Sequence, residues 1–122
     1  MMKKIIIIDD EILITKYLSI FLSKKFEVFP FNEITKCLSF LESNSNIDFI
    51  ISDYMINSAT GLNILNFIIN KNYFTDYKNK FIFMTAYDDI EINNKINNTG
   101  CRLISKTGIS PQLIEDIIEE QN

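Results

Sequence analysis

Five residues combine reactive side chains with a spacing that can bring them together: Asp9, Asp10, Asp53, Thr85 and Lys106. Each follows a short apolar run, namely Ile5–Ile8, Phe49–Ile51, Phe81–Met84 and Cys101–Ile104. If these runs are parallel strands of an open α/β sheet, their C-terminal ends share one edge, which is where ligands bind in such sheets. Three carboxylates in one cleft repel each other, so they need a cation. An oxygen-only ligand set with positions left for water suits Mg²⁺, which takes one or two carboxylates together with phosphate oxygens. Lys106 and the Thr85 hydroxyl would then complete a site for a phosphoryl group. Asp53 can act as the nucleophile, because a carboxylate can form an acyl phosphate.

The elements between these residues alternate. After Asp9-Asp10, apolar residues recur at Ile12, Leu13, Tyr17, Leu18, Ile20, Phe21 and Leu22, close to helical spacing. Phe26–Phe31 reads as a second strand ending near Pro30, and Asn32 is placed to cap a helix carrying Ile34, Cys37, Leu38 and Leu41. The Asp53 strand is followed by a helix from about Gly61, then by a polar stretch from Asn70 to Lys80 expected to be an extended loop. A strand ends at Thr85, Asp88 is placed to cap the next helix, and Gly100 stops it. The fifth strand ends at Ser105-Lys106, and Ser110-Pro111 opens the last helix. Five short apolar strands alternating with amphipathic helices predict an α/β fold with a parallel sheet covered on both faces.

The totals narrow the function. A chain of 122 residues, 47% hydrophobic with three Gly and two Pro, fits one packed domain over residues 1–122. A net charge of −4 and the lack of any basic cluster argue against direct nucleic-acid binding. There is no histidine, which excludes His-based catalysis and His-ligated metal. Asp9-Asp10-Glu11 cuts the opening apolar run too short for a secretory signal, and no stretch is long enough to span a bilayer. Cys37 and Cys101 lack metal-ligand spacing and read as reduced thiols near the core of a cytoplasmic protein.

With Asp9-Asp10-Glu11, Asp48–Asp53, Gly61-Leu62, Met84-Thr85-Ala86 and Lys106 in this order and spacing, the chain resembles a response-regulator receiver domain of two-component signalling over nearly its whole length. The resemblance implies a flavodoxin-like, doubly wound, five-stranded sheet in the order 2-1-3-4-5, as in the chemotaxis receiver. It implies phosphorylation of Asp53 by a histidine kinase or histidine phosphotransfer protein, with Thr85 and Lys106 holding phosphoryl oxygens. Mg²⁺ would be bound by Asp10, by Asp9 largely through water, by Asp53 and by the Met55 backbone carbonyl. Such a module is a signalling switch rather than an enzyme. It acts on a downstream protein target or output domain, and homodimers are common in the family. The chain would be a stand-alone receiver or a piece of a longer regulator.

Several positions depart from the family pattern. Thr107 follows Lys106 where proline, often after a cis bond, is usual; Leu103 replaces an aromatic switch residue; and the interval from Gly100 to Lys106 looks one residue short. Ile56-Asn57 stands in place of Met-Pro, from which a more mobile loop is expected. Met55 and Tyr87 flank the acceptor, and neither readily orients an attacking water. Slow self-dephosphorylation is therefore expected, with Tyr87 able to cover the acyl phosphate. Glu11 reads as a complement to the helix dipole rather than a ligand. The changes at Leu103 and Thr107 also fit a degenerate receiver serving as a constitutive interaction module. A phosphohydrolase with an aspartyl nucleophile would want a second acid two residues after Asp53, where Met55 stands.

Overall fold

Four consecutive isoleucines make the first strand, and their alternation across it explains both halves of the core. A computed structural model describes residues 2–86 and 88–120. Strand β1 (Lys4–Ile8) leads to α1 (Ile12–Leu22), β2 (Glu27–Phe31), α2 (Ile34–Ser43) and β3 (Phe49–Asp53). Two short strands follow, β4 (Met55–Ile56) and β5 (Ala59–Thr60), then α3 (Leu62–Lys71) and a 3-10 turn at Tyr77–Asn79. The chain continues through β6 (Phe81–Thr85), α4 (Ile90–Thr99), β7 (Arg102–Ser105) and α5 (Pro111–Glu120).

The main sheet has five parallel strands in the order β2-β1-β3-β6-β7. Counting main-sheet strands alone, this is the expected 2-1-3-4-5 doubly wound order. Ile5, Ile7, Phe49, Ile51, Ile82 and Met84 face one layer, where they pack with Leu18 and Leu22 of α1 and Ile114, Ile117 and Ile118 of α5. Ile6, Ile8, Ile50, Phe81 and Phe83 face the other, against Cys37 and Leu41 of α2, Ile64, Leu65 and Ile68 of α3, and Ile96 of α4. Strands buried on both faces need no polar alternation, which is why β1 and β6 read as unbroken apolar runs. Each fully buried isoleucine contributes about 1.5–3 kcal/mol over leaving it in water. Pro30 is tolerated because β2 is a sheet edge and lacks a partner on its outer side. Both cysteines are buried free thiols, and burial pushes Cys37 up to about 12, as befits a packing residue.

Several local expectations shift. Asn32 does not cap α2, whose N-cap is Glu33. Its carboxamide instead donates to the Asp9 carbonyl at 2.7 Å and to Thr15 Oγ1 at 3.0 Å, fastening the end of β2 to the turn between β1 and α1. The cap of α4 is Asp89, one residue later than expected, with Oδ1 accepting the Ile92 N–H at 3.1 Å. The polar stretch from Asn70 is not one extended loop. Helix α3 runs on to Lys71, Asn72 closes it in the left-handed region, and the Tyr73 hydroxyl donates to the Leu41 carbonyl at 2.7 Å. Tyr73, Phe74 and Tyr77 pack against the core. Ser110 caps α5 as expected, accepting the Leu113 N–H at 3.2 Å.

Gly61 has a steric reason rather than a conformational one. A Cβ there would meet Ser52 Oγ at 2.5 Å and the Asp53 carbonyl oxygen at 2.7 Å. The absence of a side chain lets α3 begin against the very end of β3. Gly61→Ala is therefore expected to cost about 2 kcal/mol of stability by overpacking and to displace the Asp53 backbone. Denaturant unfolding should show it, and an unchanged midpoint would refute this account of the close approach.

Candidate functional site

Parallel strands deliver the reactive residues to one edge. Asp9 and Asp10 leave β1, Asp53 closes β3, Thr85 closes β6, and Lys106 follows β7. The registers align these ends: Asp53 lies beside Met84, and Thr85 beside Ser105. The Lys106 N–H then donates to the Thr85 carbonyl at 2.9 Å, so Lys106 is positioned by continuing the ladder. The lysine loop contains no cis bond; it turns with Gly108 at φ 63° and with Ser105 Oγ accepting the Thr107 N–H at 3.1 Å. Neither Thr107 nor the short interval after Gly100 keeps Lys106 from the other strand ends.

Lys106 reaches across the edge into the acids. Its Nζ lies 2.9 Å from Asp9 Oδ2, 3.1 Å from Asp53 Oδ2 and 3.3 Å from Glu11 Oε1. Asp9 is fully buried, and its Oδ1 accepts the Glu11 N–H at 2.9 Å, just ahead of α1, whose N-cap is Glu11. Asp9 Oδ2 receives no well-directed hydrogen bond despite the nearby ammonium. Asp10 is more open to solvent, and its Oδ2 accepts the Asn57 N–H at 2.9 Å. Thr85 is buried at the end of β6. Asp10, Glu11, Asp53, Met55, Asn57, Ala86 and Lys106 line an open cleft of about 470 Å³.

Oxygens of Asp9, Asp10 and Asp53 lie within 4.8 Å of one another. Hard carboxylate oxygens, one of them buried without a directed donor, fit a divalent cation such as Mg²⁺ better than a soft transition metal. The grouping could hold such an ion, with room in the cleft for water or substrate oxygens.

Two features of the site were not foreseen. Glu11 pairs with Lys106 in addition to starting α1, and the segment after Asp53 forms a paired hairpin, β4 with β5. Leu103 lies partly buried against the core, beside a cavity of about 370 Å³ that it shares with Thr85, Ala86, Asp88, Asn93, Ser105 and Thr107. The expectation for Tyr87 falls outside the described residues.

A family model described as the response regulator receiver domain matches residues 5–118. The chain belongs to the response regulator receiver domain family. This receiver is similar in fold to a response regulator receiver domain protein from Clostridium thermocellum, at 24% identity and TM-score 0.82, over 98% of this chain and 93% of that one. A CheY-like receiver domain protein from Methanospirillum hungatei matches at 21% identity and TM-score 0.79, covering 99% and 94% of the two chains. The BeF3-activated DrrB receiver domain matches at 21% identity and TM-score 0.77, covering 98% and 97%. A search of curated protein sequences finds no match.

The electrostatics of the receiver's cleft follow from its geometry. Burial raises Asp53 from 3.8 to about 7, the neighbouring Asp9 carboxylate adds to this, and Lys106 opposes both. Burial alone would lower Lys106, but its close pairing with the Asp9 and Asp53 carboxylates outweighs that, so its ammonium is held above the usual range. A carboxyl raised on folding binds more protons in the native state than in the unfolded one. The stability this gives is full below about pH 4 and is lost as pH rises toward 7. Asp53→Asn removes this dependence. The melting temperature of Asp53→Asn minus that of wild type, without divalent cations, should therefore grow by about 5 °C or more between pH 5 and pH 8. A difference that stays flat across that range would contradict the raised acidity.

Proposed function

We propose that the chain is a phospho-acceptor receiver in which Asp53 takes a phosphoryl group from a histidine kinase or a histidine phosphotransfer protein in the cytoplasm. The observation that carries the reading is the meeting of Asp9, Asp53 and Lys106 around one ammonium at the sheet edge, with Asp10 beside them. Asp9, Asp10, Asp53 and the Met55 backbone carbonyl would hold Mg²⁺. When bound, the ion supplies positive charge against the carboxylates and the incoming phosphoryl oxygens.

The chain's own residues do the rest. Asp53, at the closed end of β3, presents one carboxylate oxygen to phosphorus while the bond from phosphorus to the donor nitrogen breaks. The electron pair of that bond leaves with the donor imidazole. Lys106 shifts from pairing with Asp53 to pairing with a phosphoryl oxygen, and the Thr85 hydroxyl donates to another. Ala86 leaves space beside them. The resulting change at Thr85 biases a protein-interaction surface read by a downstream target or output domain. Leu103 carries no hydroxyl, so this output runs through displacement of the β6–α4 and β7 region rather than through an aromatic reporter.

BeF3 activation of the DrrB receiver is a property of that protein; here it suggests the same small phosphoryl mimic as a probe. The direct test is intact-mass spectrometry after incubation with a small phosphodonor, with and without Mg²⁺, on wild type and Asp53→Asn. The expected result is one phosphoryl group on wild type with Mg²⁺ and none on Asp53→Asn. No addition to folded wild type would overturn the reading in favour of a constitutive interaction module.

A further inference from the structure

Between Asp53 and α3 the chain makes a turn that a proline at position 57 could not make. β4 and β5 pair antiparallel, Met55 with Thr60 and Ile56 with Ala59, leaving Asn57-Ser58 as a two-residue turn. Asn57 sits at φ 56°, in the left-handed region that asparagine enters more readily than most residues and that the proline ring forbids. Its backbone N–H, which proline would lack, donates to Asp10 Oδ2 at 2.9 Å.

That bond ties two parts of the cleft together. Asp10 follows β1, whereas Met55 lies two residues before Asn57 on the hairpin. In the functional reading these are the outer protein ligands of the cation, one by carboxylate and one by backbone carbonyl. A carboxylate offers about four lone-pair sites, so accepting one N–H leaves others for a metal. Holding the carboxylate before the ion arrives removes rotamer freedom that binding would otherwise have to freeze.

We infer that the Asn57 amide is the positioning group of the metal site: by fixing the Asp10 carboxylate to the β4–β5 hairpin it sets the affinity of the cleft for a divalent cation. The inference rests on the metal reading given above and adds a residue to it. By linkage the effect is reciprocal, so cation binding also stabilises the hairpin in its left-handed turn. Outer-shell hydrogen bonds to metal ligands, when removed, typically cost about 10–100-fold in affinity.

The test is calorimetric titration of the unphosphorylated chain with Mg²⁺, comparing wild type, Asn57→Pro and Asn57→Gly. Proline removes the N–H and forces φ to about −65°, and it should weaken binding by about 10-fold or more. Glycine keeps the N–H and reaches the left-handed turn freely, so it should restore affinity to within about threefold of wild type. A second readout needs no change at position 57. Hydrogen exchange at the Asn57 amide should be slow in wild type, slower still with Mg²⁺, and fast in Asp10→Ala. This readout decides the matter if Asn57→Pro does not fold. A folded Asn57→Pro with unchanged Mg²⁺ affinity, or an Asn57 amide indifferent to Asp10→Ala, would overturn the inference while leaving the phospho-acceptor reading intact. Wild type that binds no Mg²⁺ would overturn the inference and the metal part of that reading together.

Discussion

One ammonium among too many carboxylates is the constraint on which the site depends. Lys106 is within 3.3 Å of acids from three positions, Asp9, Glu11 and Asp53, and Asp10 lies alongside with no ion pair among the described residues. The protein meets the excess negative charge in small ways. Backbone N–H groups of Glu11 and Asn57 donate to Asp9 and Asp10, and burial, with the Asp9 carboxylate adding to it, raises Asp53 to about 7. A protonated carboxyl is a poor nucleophile, so in the proposed reading Asp53 would be partly disarmed at neutral pH without a cation. A divalent cation held by this cluster would relieve the repulsion and favour the ionised form of Asp53.

The sheet makes such crowding possible. Parallel strands with right-handed crossovers put all C-terminal ends on one side, and the two apolar layers leave those ends no freedom to separate. Gly61 brings α3 against the end of β3, and Asn32 ties β2 to the turn carrying the first acids. The repulsion is borne by a core built largely of isoleucine, leucine and phenylalanine.

Strand existence and the gathering of Asp9, Asp10, Asp53, Thr85 and Lys106 at one sheet edge were legible because each rests on a strong local signal, an apolar run closed by a polar residue; the strand order was implied only by the resemblance to receiver domains. What escaped rests on weaker ones. Asp88 and Asp89 are adjacent acids, and only backbone geometry decides which of them caps α4. Asn32 has the right type for a cap but finds better partners in the Asp9 carbonyl and Thr15. β4 and β5 have two residues each, too few for any periodicity, so the hairpin read as a loop. Glu11 was assigned to the helix dipole because its contact with Lys106, 95 residues away, has no trace in local sequence. The trans Lys106-Thr107 bond shows that the lysine can be placed by ladder continuation and a left-handed Gly108, with no proline required.

The most direct measurement is the acidity of the Asp53 carboxyl, followed by carbon NMR of labelled aspartate with and without saturating Mg²⁺, the resonance assigned by its loss in Asp53→Asn. With burial and then the neighbouring Asp9 carboxylate raising it, Asp53 is expected on this account to titrate near pH 7 without the cation and to fall by at least about two units when Mg²⁺ is present, since an adjacent positive charge favours the ionised form. An Asp53 that titrates in the ordinary carboxylate range in both conditions would contradict it.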